Sequence, residues 1–157
     1  MKAAAAKDIK QALNDRSAQE LLQLCLHLSR FKKENKELLT YLLFESNNED
    51  GYISSLKDHM DEQFHQINTN SYRFIAKGVR KILREIKKFI RFSKVKETEV
   101  ELLLYFCMKL KQFQPYFSKS SVLNNIFDRQ ILVIKNKIGT LHEDLQYDYE
   151  MELNKLL

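Results

Sequence analysis

Apolar and polar residues recur with the period of an α-helix along almost the whole chain, most clearly between residues 71 and 96. There, an apolar set follows a basic set by two positions, which is about 200° of helical turn. The two sets therefore lie on opposite faces of one amphipathic helix. We call the basic set the basic face; it comprises Arg73, Lys77, Arg80, Lys81, Arg84, Lys87, Lys88 and Arg91. The apolar set, which we expect to face inward, comprises Ile75, Val79, Ile82, Leu83, Ile86, Phe89 and Ile90.

The same period predicts helices before and after this one. Ser17 and Glu20 have the spacing of a capping box, which places a helix start at Ser17. Thr98 is the predicted cap of a later helix, and Pro115 is expected to end that helix. The predicted segments are 3–13, 17–31, 34–44, 52–67, 71–94, 98–114 and 122 onward, with the clearest loop at 47–51.

Two of these helices are apolar around most of their circumference, over residues 21–28 and 100–108. Such helices are usually central, so we expect both to form the core. They also align with each other at a shift of 82 residues. Duplicated helical hairpins would produce this match, and so would any two buried helices.

The last predicted helix carries apolar residues at alternating steps of four and three, the pattern of a packed helical seam. Its members are Phe127, Ile131, Ile134, Ile138, Leu141 and Leu145. The seam could close within the chain or pair with a second copy in a homo-oligomer. Gly139 interrupts it and is a candidate break between two helices.

No segment alternates apolar and polar residues over the length of a strand, and the chain has only three Gly and one Pro. We therefore predict one all-α domain over residues 1–157, with about seven antiparallel helices. An irregular bundle and a short stack of helical hairpins, resembling an α-α superhelix, both fit the pattern.

Charge is unevenly distributed along the chain. The net charge is +5, but residues 71–96 hold ten Lys and Arg against the single acid Glu85. The segment after Gly139 is acidic, so the chain could also place its own acidic end against the basic face. The basic face is thus either a contact surface or an internally paired one.

Candidate catalytic chemistry is sparse. Glu62 and His65 form a Glu-x-x-His step, but di-iron bundles use two such steps together with two further Glu residues, and the chain has no second Glu-x-x-His. His27 lies between leucines and is expected to be a partly buried structural residue. The chain has no glycine-rich phosphate loop, no Gly-x-Ser-x-Gly and no Cys-x-x-Cys. We therefore expect no enzymatic activity, no cofactor and no metal.

Cys25 and Cys107 lie in apolar helical runs, where free cysteines behave as small hydrophobic residues. Two cysteines give no disulfide framework, and the N-terminus has too short an apolar run for a signal peptide. These features favour a reducing, cytoplasmic environment.

The first 45 residues contain a pattern of apolar and charged positions made up of Asp8-Ile9-Lys10, Ser17, Glu20-Leu21-Leu22, Leu26, Leu28, Arg30-Phe31-Lys32 and Asn35-Lys36-Glu37. This pattern resembles a family of bacterial all-helical proteins of unknown function, with a looser similarity over residues 71–110. The resemblance implies an all-helical fold and brings no known catalytic or binding residues.

Together these features predict a non-enzymatic protein-interaction or scaffold module that contacts another protein. The alternative is binding to the nucleic-acid backbone through the basic face, since a row of Lys and Arg can contact phosphates. A membrane partner is disfavoured, because an interfacial helix needs an exposed apolar face, which neighbouring helices can cover here.

Overall fold

The computed structural model describes all 157 residues and confirms the all-α prediction. It contains nine α-helices, two more than predicted, and one π-helical turn at Tyr41–Glu45. The helices are α1 (Ala6–Asn14), α2 (Ala18–Phe31), α3 (Lys33–Thr40), α4 (Glu49–His65), α5 (Tyr72–Ile90), α6 (Lys96–Gln112), α7 (Tyr116–Lys119), α8 (Ser121–Ile138) and α9 (Glu143–Leu156).

The chain divides into two compact units, whereas the sequence predicts one domain. The N-terminal unit is Met1–Phe44 and the C-terminal unit is Glu45–Leu157. The boundary falls inside the π-helical turn.

The N-terminal unit contains no buried residue in any of its three α-helices. The predicted capping box is present, since Ser17 N donates to Glu20 Oε2 at 2.8 Å and Glu20 N donates to Ser17 Oγ at 3.2 Å. Helix α2 packs on α3, and Asn35 Nδ2 donates to the Leu28 carbonyl at 2.8 Å across their junction. The prediction that the second helix is central is wrong, because a helix is buried all round only where neighbours cover every side.

The core of the C-terminal unit is built around α6, which packs against α4, α5, α8 and α9. Phe106 and Leu110 of α6 are fully buried, and the Phe106 ring lies 5.9 Å from the Phe64 ring of α4. The prediction that the helix over 98–114 is central is therefore confirmed. It ends at Gln112, shortly before Pro115, whose peptide bond is cis.

Helix α5 packs its apolar stripe against α4, α6 and α8. Of the seven residues in the apolar set, five are buried, and Leu83 and Phe89 are half-buried. The five buried ones are Ile75, Val79, Ile82, Ile86 and Ile90. The orientation predicted for this helix is thus confirmed.

The seam of the last predicted helix closes within the C-terminal unit. Helix α8 ends at Ile138 with Gly139 as its C-cap, so the chain breaks there and α9 follows. Helix α8 packs on α6, and the seam residues Phe127 to Leu141 are buried. This is the intramolecular alternative, and it leaves those residues no surface for a second copy.

Two helix starts differ from the predicted ones, and only that of α4 has a side-chain cap. Asn48 accepts a hydrogen bond from Gly51 N at 3.1 Å, so α4 begins at Glu49 inside the predicted loop. Thr98 is not the cap of α6. It is fully buried in the first turn of that helix and donates to Glu49 Oε1 at 2.6 Å.

Candidate interaction surface on the basic helix

The basic face lies on the solvent side of α5, opposite its buried stripe. Ser71 starts this helix by accepting a hydrogen bond from Phe74 N at 3.2 Å. Lys87 and Lys88 are half-buried, and the other six predicted residues are exposed: Arg73, Lys77, Arg80, Lys81, Arg84 and Arg91. The structure therefore presents the predicted site residues together on one face.

Most of these cations have no acidic partner in the chain. No salt bridge involves Arg73, Lys77, Arg80, Lys81, Arg84 or Lys87. Because each keeps its charge uncompensated at the surface, together they present a strip of positive potential.

The acidic C-terminal segment does not neutralise this strip. Two of its carboxylates form local pairs instead: Asp144 lies 3.6 Å from His142 Nδ1, and Glu152 lies 2.5 Å from Lys155 Nζ. Glu85, the one acid of α5, faces His59 of α4. Its Oε2 lies 3.4 Å from His59 Nε2, but the two atoms do not form a hydrogen bond. The internally paired alternative is thus not what the structure contains.

A shallow groove of about 520 Å³ runs along one edge of the basic face, between α5 and the end of α4. It forms because Gly78 lets the two segments approach closely. A Cβ at that position would lie 3.1 Å from Ile67 Cγ1. The α5 side contributes Phe74, Lys77, Lys81 and Arg84, and the α4 side contributes Gln63, Gln66 and Asn68.

The groove adds neutral hydrogen-bonding groups to the cations. Amide side chains both donate and accept, so Gln63, Gln66 and Asn68 can pair with carboxylates, phosphates or peptide groups. Phe74 is exposed at its edge and offers an apolar contact. Spacing within one helix does not single out these residues; the only sequence signal near them is the polar run that follows α4.

The histidines and acids outside the basic face do not converge on a metal site. No cluster of three His, Cys, Asp or Glu residues is placed to hold a metal ion, and Glu62 and His65 are both exposed. His27 is exposed, which corrects the expectation of a partly buried residue. His142 caps α9 by accepting from Asp144 N at 3.4 Å.

A polar cluster between α4 and α6 is paired internally. Tyr105 Oη donates to Asp61, with 2.9 Å to each carboxylate oxygen, and Lys109 Nζ lies 3.0 Å from Asp61. Burial opposes ionisation of Asp61, but the hydrogen bonds from Lys109 and Tyr105 outweigh it and lower the pKa. Burial and the bond to Asp61 raise the pKa of Tyr105 to about 12. The cluster joins α4 to α6 through a hydrogen bond and an ion pair.

The two cysteines lie in opposite environments. Cys107 is fully buried, and burial raises the pKa of its thiol to about 12. Cys25 is exposed on α2, contrary to the expectation that both cysteines fill apolar runs.

No family model matches this chain, and no curated protein or solved structure matches it either. None of the helices combines the length and apolar character needed to cross a bilayer.

Proposed function

We propose that this protein is a non-enzymatic interaction module that binds an acidic surface of another protein through the basic face of α5. The observation that carries the proposal is the row of six cations, from Arg73 to Lys87, without intramolecular ion pairs. The row is about 21 Å long, the length of a few turns of a partner helix. Complementary charge of this kind speeds association and selects partners.

The groove beside the row supports a protein as the partner. Its amide side chains can bond to carboxylates and peptide groups, and Phe74 adds an apolar contact that a purely electrostatic surface would lack. Interfaces typically combine these elements.

Binding to the nucleic-acid backbone is the second candidate, and the same row of unpaired cations favours it. Six phosphate contacts would make affinity fall about 10³-fold between 50 and 200 mM salt. Such binding would be independent of sequence, because the base-reading motifs are absent from the chain.

A membrane surface is less compatible with this helix. An interfacial helix buries its apolar face in the lipid boundary. The apolar stripe of α5 is already buried against α4, α6 and α8.

Fluorescence anisotropy tests the proposal with three probes: a glutamate-rich peptide, a single-stranded oligonucleotide and a duplex, each at 50 and 200 mM salt. The test variant is Arg80→Glu/Arg84→Glu. The matched control is Lys119→Glu/Arg129→Glu, which changes the charge equally at exposed positions of α7 and α8.

We expect micromolar binding of the peptide that the test variant loses and the control retains. Binding of the oligonucleotides alone, lost in the same variant, would select the second candidate. Absence of binding to any probe at 50 mM salt would refute both.

A further inference from the structure

The N-terminal unit exposes an unusual amount of apolar surface. Eleven large apolar side chains between Ile9 and Phe44 are at least 36% exposed. They are Ile9, Leu13, Leu21, Leu22, Leu24, Leu28, Phe31, Leu38, Leu42, Leu43 and Phe44. Folded monomers rarely expose contiguous apolar patches larger than a few hundred Å². This unit therefore has apolar surface to bury that its own helices do not cover.

Four of these residues form a regular stripe on α2. Leu21, Leu24, Leu28 and Phe31 follow one another at steps of three, four and three, and all lie within about 80° of the helix circumference. This is the spacing of the contact positions in a coiled coil. Exposure rises along the stripe to 58% at Leu28 and 71% at Phe31. The residues of α2 that are less exposed, Leu26 and Ser29, lie off this stripe.

We propose that this stripe is a self-association surface, which packs against the same stripe of a second copy of the chain. A two-fold interface places one patch against itself, so it must be self-complementary. An apolar stripe meets this condition without any further partner. The proposal is independent of what the basic face binds.

Charge also favours a second copy over a charged partner. The stretch from Leu21 to Ser29 contains no Lys, Arg, Asp or Glu. A partner that placed a charge here would bury it without a counter-ion, which is costly. The same stretch of another copy brings no charge.

The exposed apolar area of the N-terminal unit, of which the α2 stripe is part, is comparable with the apolar part of a standard interface. Burying a large aliphatic side chain gives about 1.5–3 kcal/mol at 25 cal/mol per Å², which corresponds to about 60–120 Å² per residue. The eleven residues are on average about half exposed, so roughly 300–700 Å² of apolar surface remains to be buried. A standard interface buries roughly 800 Å² per partner, of which about 56–65% is non-polar.

Light scattering coupled to size exclusion tests the proposal over protein concentrations from roughly 1 to 200 μM, across which a dimer with a Kd of about 10 μM passes from mostly monomer to mostly dimer. We expect twice the 18.7 kDa mass of one chain at the upper end. Leu24→Glu/Leu28→Glu should weaken dimerisation by about 100-fold or more, since the interface would then bury like charges from both copies without counter-ions. Val122→Glu/Leu132→Glu is the matched control, because it places two charges at exposed apolar positions of α8.

A wild-type chain that stays monomeric at every concentration would overturn the proposal. So would a dimer that survives the α2 double substitution, or one that the α8 control disrupts equally. Circular dichroism of each variant separates loss of association from loss of fold. If the double variant loses helix content, the milder Leu28→Gln is compared with Leu132→Gln in the same way.

Discussion

Truncating matched leucines in α2 and α6 compares the two helices that look alike in sequence. Leu28 and Leu110 occupy equivalent positions at the 82-residue shift. Leu110 is fully buried, whereas Leu28 is 58% exposed. Leu110→Ala and Leu28→Ala therefore remove the same atoms from different environments.

The expected costs differ several-fold. A fully buried leucine replaced by alanine loses its transfer free energy and leaves a cavity, at a total of about 3–5 kcal/mol. Leu28 retains contact over less than half of its surface. The complete burial of a leucine is worth about 1.5–3 kcal/mol, so we expect Leu28→Ala to cost no more than about 1 kcal/mol in the monomer.

Urea unfolding followed by circular dichroism and tyrosine fluorescence measures both effects. All tyrosines except Tyr41 lie in the C-terminal unit, so the fluorescence reports that unit separately. The measurement is made at low micromolar protein or below, to limit any contribution from association. A cost below about 1 kcal/mol for Leu110→Ala, or equal costs for the two variants, would refute the assignment of α6 as the core helix.

Three further predictions concern single residues of the C-terminal unit. Glu49→Ala should destabilise it by about 1–3 kcal/mol, because the buried Thr98 hydroxyl loses its acceptor. Urea unfolding measures the free energy of unfolding of Glu49→Ala, Thr98→Val and the double variant. Additive losses in the double variant would contradict a hydrogen bond between the two side chains. Gly139→Ala should raise the free energy of unfolding by about 0.4–1 kcal/mol, because its backbone is right-handed and an added Cβ meets nothing closer than 3.5 Å; a lower thermal midpoint would contradict this. Because folding lowers its pKa, Asp61 should stabilise the fold at pH values above its ordinary pKa of 3.8, and this contribution should be lost as pH falls further. In urea unfolding measured down to about pH 2, the free energy of unfolding should fall less steeply with pH for Asp61→Asn than for the wild type. The same pH dependence in both proteins would exclude this role for the pair with Lys109.

The orientation of α5 could be predicted from sequence because the period of its residues separates two faces of opposite character. Periodicity reports which side of a helix is apolar, and in α5 only one side is. In α2 and α6 the apolar residues cover most of the circumference, so their pattern does not predict which side of the helix is buried. Their similar sequences accordingly end in different environments: Leu110 is in a core, and Leu28 is on a surface.

The candidate site was only partly predictable for a related reason. The basic face follows from spacing within a single helix. The groove depends on the close approach of Ile67 to Gly78, which is a contact between two elements. Gln63 and Gln66 become part of the site only through that approach, and nothing in their own spacing marks them. The role of Thr98 likewise depends on a contact with Glu49 of another helix, which spacing does not encode.

The contrast between Cys25 and Cys107 has a practical consequence. A thiol-reactive dye added to the native chain should modify Cys25, while Cys107 stays protected until the C-terminal unit unfolds. The natural sequence thus carries one addressable labelling position, in the N-terminal unit. A spin label or fluorophore placed there would report distances between chains without any substitution.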